Sequence, residues 1–167
     1  MKSLSRSSIF FILAILFVSN SAYAAQWLDM HGTNCVMEYP GTTTNASAPA
    51  NAAVFYKGWG LDFTQKAFNG NWIHCPIPIF GLQQVRYIYV RYYKSSTAGR
   101  IYVIHPYNGD TRVQVATPTA GIVGWNAFSI DLGTFKSFST GLGVSIGISN
   151  GDGNTRFIIS DVAAYYQ

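Results

Sequence analysis

The stretch NGNWIHCPIP, residues 69 to 78, sets a tryptophan, a histidine and a cysteine between a glycine turn and two prolines. Such residue types serve three chemistries: a thiolate activated by imidazole, a metal centre, or an aromatic-lined binding groove. Simple geometry disfavours the first. His74 and Cys75 are adjacent, and adjacent residues of a strand point to opposite faces, so their side chains diverge. Cysteine arithmetic points the same way, because Cys35 is the one other cysteine in the chain. No G-x-S-x-G elbow is present, and the seven acidic residues show no spacing that suggests a glycosidase acid and nucleophile.

Metal chemistry would need more convergence than the sequence offers. His31, His74 and His105, with Asp29 and Glu38, are zinc-type ligands. Asp29 and His31 would share one face of a strand, yet no H-x-H or H-x-x-x-H pair accompanies them, so surface or structural histidines are expected. In SNGDGN, residues 149 to 154, Asn150, Asp152 and Asn154 alternate like the ligands of a calcium loop. That loop holds a single carboxylate, and its glycines are what a tight turn needs anyway. A plain hairpin turn is therefore expected, with calcium the weak alternative and no other cofactor.

Binding is the stronger signal. The chain carries four Trp, eleven Tyr and eleven Phe. Much of this must be core, since aromatic rings dominate sandwich interiors. Trp59, however, lies between two glycines, and Trp72 follows Asn69-Gly70-Asn71, where a turn can hold a ring in solvent. A sugar stacks its C–H face on such rings while its hydroxyls bond to amides and carboxylates. Trp59, Asp62, Asn71 and Trp72 form that set if their loops meet, with His74 on the same face as Trp72. The leading expectation is a non-catalytic, lectin-like module that binds a carbohydrate or other cell-surface component. A structural or adhesive protein acting through a strand edge or aromatic patch is the alternative; a small hydrolase or metal enzyme is the second.

The elements that must position these residues come after a leader. Lys2 and Arg6 precede the apolar run Ile9 to Val18 and the sequence Ser21-Ala22-Tyr23-Ala24. This is the pattern of a secretory signal peptide, residues 1–24, its apolar run too short for the roughly 20 residues that span a bilayer. Residues 25–167 are then one exported domain, secreted or periplasmic, and in that oxidising setting Cys35 and Cys75 should pair. The closed loop of about 40 residues would contribute roughly 4 kcal/mol. The leader holds two of the charges behind the formal +4, and the remaining Lys and Arg are scattered singly, which argues against nucleic acid.

The rest reads as strand. VRYIYVRYY (85–93) is β-branched or aromatic at nearly every position, and Asn108-Gly109-Asp110 divides two alternating runs in residues 100–117. GLGVSIGIS (141–149) sends Val144, Ile146 and Ile148 to one face and Ser145, Gly147 and Ser149 to the other. Further strands are expected at 26–30, 35–39, 54–63, 72–79 and 125–132, and in TRFIISDVAAYYQ at the end. No stretch holds a helical period. The sum is an all-β, single antiparallel β-sandwich of nine or ten short strands, jelly-roll-like. Residues 41–53, small and polar, are expected to be a loop. Pro76 and Pro78 place their strand at a sheet edge and argue against a membrane-spanning barrel.

Trp27 with His31-Gly32, GWGLDF at 58–63 and NWIHCPIP at 71–78 together resemble a family of small exported bacterial proteins of uncharacterised function. The resemblance covers the first half of the mature chain and implies a β-sandwich without supplying an activity. The family pattern has an apolar residue where Cys75 stands, so it does not support the disulfide. GLGVSIGIS and RFIISDVAAYY are similar to the last two strands of many carbohydrate-binding modules, a pattern other sandwiches share.

Overall fold

The computed structural model describes residues 25–40, 43–44, 54–79, 84–119, 121–151 and 153–167. Residues 1–24, expected to be a leader, and most of the 41–53 stretch lie outside the described residues. Twelve strands follow in order: β1 Gln26–His31, β2 Val36–Met37, β3 Thr43–Thr44, β4 Val54–Lys57, β5 Gly60–Gln65, β6 Gly70–Ile77, β7 Gln84–Lys94, β8 Gly99–Asn108, β9 Thr111–Arg112, β10 Gly124–Ser137, β11 Leu142–Asn150 and β12 Thr155–Tyr166. A short 3-10 turn, Gly32–Asn34, links β1 to β2. Among the described residues one sheet has seven strands along the path β10-β7-β12-β5-β3, with β1 on β12 and β4 on β5; the other has five, β2-β6-β11-β8-β9.

The all-β antiparallel sandwich is as the sequence predicts. The count is higher than nine or ten because 54–63 folds into two strands around Gly58-Trp59, and because the two-residue strand β3 lies within the stretch expected to be a loop; the strands expected at 35–39 and after Asp110 are present but cut to two residues each.

Alternation decides which residues meet between the sheets. On β6, Asn71, Ile73, Cys75 and Ile77 are buried while His74 and Pro76 are exposed. β11 buries Val144, Ile146 and Ile148 against Phe63, Ile88, Val90, Phe157, Ile159 and Val162 from the other layer. Cys35 and Cys75 are bonded inside this core, 0% and 1% exposed. Cys35 follows the turn that leaves the seven-stranded sheet, and Cys75 sits in the five-stranded one. β2 pairs Val36 with His74 and Met37 with Ile73, so Cys35 stands opposite Cys75 and the bond cross-links neighbouring strands of the five-stranded sheet, fixing the chain that arrives from β1.

β12 serves both ends of its sheet, pairing β5 through Thr155–Ile159 and β1 through Asp161–Tyr166. Gly32 and Gly60 converge on the Ile159 carbonyl at that junction. A β-carbon would fall 1.8 Å from that oxygen at Gly32 and 2.1 Å at Gly60. His31 Nε2 lies 3.2 Å from the Gly58 carbonyl across the same junction. The HG and GWG motifs are therefore one packing unit.

Phe68, in the turn between β5 and β6, has φ 56° and is 81% exposed. A bulky residue in the left-handed region is strained by about 1–2 kcal/mol. Phe68→Gly is expected to leave the melting temperature unchanged or raise it by a few degrees, since the strain relieved exceeds the glycine entropy penalty of ~0.5–1 kcal/mol. Calorimetry checks this; a lower melting temperature would mean the ring packs usefully on its turn.

Candidate functional site

The outer face of the five-stranded sheet carries a trough whose floor is the small-residue face of β11. Gly143, Ser145 and Gly147 face outward there. Register places Gly147 between Trp72 and Val103, Ser145 between His74 and His105, and Gly143 between Pro76 and Tyr107. Small residues on the central strand with large ones on both neighbours make a depression by side-chain volume alone. Past Gly147 the β8 register shifts to pair Ile148 with Ile101, leaving Tyr102 as the extra residue of a bulge. Its ring leans over the floor, where a β-carbon on Gly147 would come within 2.9 Å of it.

One end of the trough is closed by rings. Trp72 meets His105 in a tilted contact at 5.2 Å and 33° and Tyr102 edge-on at 5.9 Å, and His105 in turn meets Tyr107 at 6.2 Å. Burial, and then the nearby Arg112 charge, hold the His105 imidazole below its ordinary pKa. The open end is a groove of about 470 Å³ lined by Val36, His74, Pro76, Tyr107, Asp110 and Ser145 among others.

A polar chain crosses the wall of this groove. His74 Nδ1 lies 2.9 Å from Ser145 Oγ, and His74 Nε2 lies 3.2 Å from Glu38 Oε2. Hydrogen bonding from Tyr39, and then from His74, holds the Glu38 carboxyl below the usual carboxylate range. A hydroxyl, an imidazole and a carboxylate in series have the connectivity of a nucleophile, its base and an orienting acid. Acyl transfer would also require donors aimed at the developing oxyanion. Ser145 sits mid-strand between two partners, where the amides of β11 are committed to the ladders with β6 and β8. What the chain does offer is a row of donors and acceptors beside aromatic walls, which suits hydroxyl recognition.

The sequence-derived residues separate into two places. Trp72 and His74 share the outer face of β6, as their spacing requires, and they form this site. Trp59 and Asp62 belong to the β4–β5 hairpin of the other sheet. Trp59 is 48% exposed, with its Nε1 donating to Asp62 Oδ2 at 3.3 Å and Lys57 Nζ 5.0 Å from its ring centre. Asp62 itself is 1% exposed and is held by Arg156 at 2.8 and 2.7 Å, with Lys57 at 3.6 Å. Burial raises its pKa, but the Arg156 hydrogen bonds and charge outweigh that and leave it lowered. The carboxylate that sequence reading offered to a sugar is thus engaged by cations of its own chain. Asn71 is buried at 3% exposure, accepting from the Tyr39 amide at 3.0 Å and donating to the Tyr39 carbonyl at 2.8 Å. It fixes the segment that carries Glu38.

Cys75 is disulfide-bonded in the core, on the opposite face from His74, so the thiolate pairing is ruled out. Among the described residues no three His, Cys, Asp or Glu side chains come together as metal ligands. In the hairpin turn, Asn150 donates to the Gln65, Lys66 and Gly153 carbonyls and accepts from Thr155, while Asn154 accepts from the Ala67 amide. Both amides hold neighbouring turns together; Asp152 lies outside the described residues. Sequence reading considered Glu38 and His105 only as metal ligands and did not pick out Tyr102, Tyr107 or Ser145 for a binding site. The signal available for them was the run of small residues on one face of β11, which implies large neighbours on either side.

No protein-family model and no curated protein sequence matches the chain. Among solved structures it is similar to the C-terminal CBM6 of the laminarinase LamC from Zobellia galactanivorans, at 14% identity, 83% of this chain, 99% of that chain and a TM-score of 0.49. A family 35 carbohydrate-binding module from Clostridium thermocellum matches at 15% identity, 83% and 98% coverage and a TM-score of 0.45. A Stig cyclase, Fisc, from Fischerella sp. TAU matches at 10% identity, 81% and 88% coverage and a TM-score of 0.44.

Proposed function

We propose that this chain is an exported, non-catalytic module that binds carbohydrate in the trough on the five-stranded sheet. One observation carries the reading: Trp72, His105 and Tyr107 wall a depression whose side holds the Glu38–His74–Ser145 polar chain. Rings of this kind stack on pyranose C–H faces, and the polar chain supplies donors and acceptors for hydroxyls. The disulfide supports an oxidising, extracytoplasmic setting.

The test is retention of the oxidised mature protein on a glycan array and on insoluble polysaccharides. Trp72→Ala is expected to weaken retention by about 10- to 100-fold, ~1.4–2.8 kcal/mol, and Tyr107→Ala to weaken it as well, with native circular dichroism in both. Wild-type-like retention in both folded variants would remove the trough from consideration, and absence of retention on every glycan would remove the function.

A second reading rests on the outer face of the seven-stranded sheet. Trp27 and Trp125, 49% and 45% exposed, lie there with Tyr87, Tyr89, Tyr93 and Tyr165 in edge-on and tilted contacts. An exposed aromatic cluster of this extent fits adhesion or self-association. Light scattering over a concentration series should then show mass rising with concentration, and a constant monomer mass would dismiss self-association.

A further inference from the structure

We infer that two copies of this chain join edge to edge through β10, continuing the seven-stranded sheet across a two-fold axis. β10 runs Gly124–Ser137 at the end of its sheet, and among the described residues β7 is its one partner strand. The other strands that end a sheet are shorter: β2, β3 and β9 have two residues each, β4 four and β1 six. An outer strand of this length presents a row of main-chain donors and acceptors to any strand able to pair with it.

Register tells which of those groups are open. The Ser95 amide donates to the Arg156 carbonyl of β12, and bonding directions alternate along a strand, so Tyr92, Val90 and Ile88 turn their main-chain groups to β10. Their partners Asn126, Phe128 and Ile130 are thereby satisfied, and Trp125, Ala127 and Ser129 point theirs outward. Asp131 is in the same phase, because its carbonyl accepts from Gln114 Nε2 at 3.2 Å, on the side away from β7. That bond and the bulge between Asp131 and Lys136 close the edge at one end; Gly124, at φ 108°, closes it at the other. Three residues keep both main-chain groups for a partner.

The open residues are symmetric about Ala127, which commits the edge to a second copy. A two-fold axis there sets Ala127 opposite its own counterpart and Trp125 opposite Ser129 twice, so each open donor meets an open acceptor in about six hydrogen bonds. Residues 124–130, GWNAFSI, hold neither a charge nor a proline, the devices that keep natural edges apart, so no like charges face each other across the joint. β1, the next longest edge, carries Asp29. The same axis brings Ile122 and Val123 of one copy, 73% and 48% exposed, toward the far end of the other's open stretch, where Phe135 and Val115, the neighbour of Gln114, are also exposed. Each copy supplies both halves of that apolar contact. Trp27 lies three strands away on β1 and the trough lies on the other sheet, so both copies keep the trough open.

The experiment is sedimentation velocity of the oxidised mature protein over a concentration series, with circular dichroism of every variant. A monomer–dimer equilibrium is expected for the wild type. Ala127→Lys sets two like charges opposite each other at the axis and is expected to weaken the dimer by about tenfold or more. Ala127→Pro removes an outward amide without breaking a bond to β7 and is expected to abolish the dimer. Trp27→Ala should dimerise as the wild type does, which separates this edge from the aromatic outer face. A constant monomer mass for the wild type, an undiminished dimer in the folded Ala127→Lys protein, or loss of the dimer in folded Trp27→Ala would each overturn the proposal.

Discussion

Reducing the Cys35–Cys75 bond, or replacing both residues by alanine, is expected to lower stability by about 4 kcal/mol and the melting temperature by roughly 8–16 °C. The bond spans a separation of 40 residues. Breaking it returns that loop's conformational freedom to the unfolded chain. The effect is large against a total of about 5–15 kcal/mol for a domain. Both sulfurs are enclosed between the sheets, so in the double alanine variant a cavity adds to the loss. Denaturant titration followed by circular dichroism, with and without reductant, measures it. An unchanged midpoint would mean that hydrophobic packing alone holds Cys35 and its turn against β6.

Arg156→Ala is the second large effect. Asp62 is 1% exposed, and Arg156 provides the bidentate bond that makes burial of its charge tolerable. Removing one partner of a buried pair typically costs about 3–5 kcal/mol. Here Arg156 is itself 45% exposed and Lys57 remains 3.6 Å from the carboxylate, so about 2–3 kcal/mol is expected. The pH dependence identifies the cause. The folded carboxyl titrates below the unfolded one, so the pair's stabilisation is complete above about pH 4 and lost as pH falls through the folded value. Wild type should therefore lose stability in acid more steeply than Arg156→Ala. Parallel acid profiles for the two proteins would show that the pair is not what Arg156 contributes. Asp62→Asn should lower stability too, while leaving glycan retention in the trough unaltered.

Much of the fold was legible because strand geometry is local. A period of two marks Val144, Ile146 and Ile148 as one face of β11 and puts Trp72 and His74 on one face of β6, whatever lies beside them. The disulfide was equally legible, because two cysteines in one chain leave a single intramolecular pairing. β6 lies one strand in from the edge, between β2 and β11, but among the described residues β2 pairs only Ile73 and His74, so the stretch that carries Pro76 is bonded on the β11 side. β3 escaped because two residues carry no period.

The site was legible in part. Trp59 and Asp62 do meet, three residues apart on one hairpin, as local spacing allows. Their separation from Trp72, and the capture of Asp62 by Arg156, 94 residues away, follow from which strands become neighbours. Likewise nothing near Trp72 in the chain foretells His105 at 5.2 Å, since the two meet only because β6 and β8 flank the same glycines and serine of β11. The sequence by itself determined the class of fold, the cross-link and the facing of residues within each strand. Tertiary structure decided which faces cover one another, which carboxylate is neutralised and which rings share a wall. Alternation along a strand is a property of the backbone, whereas strand neighbours and register are selected by burial summed over the whole sandwich.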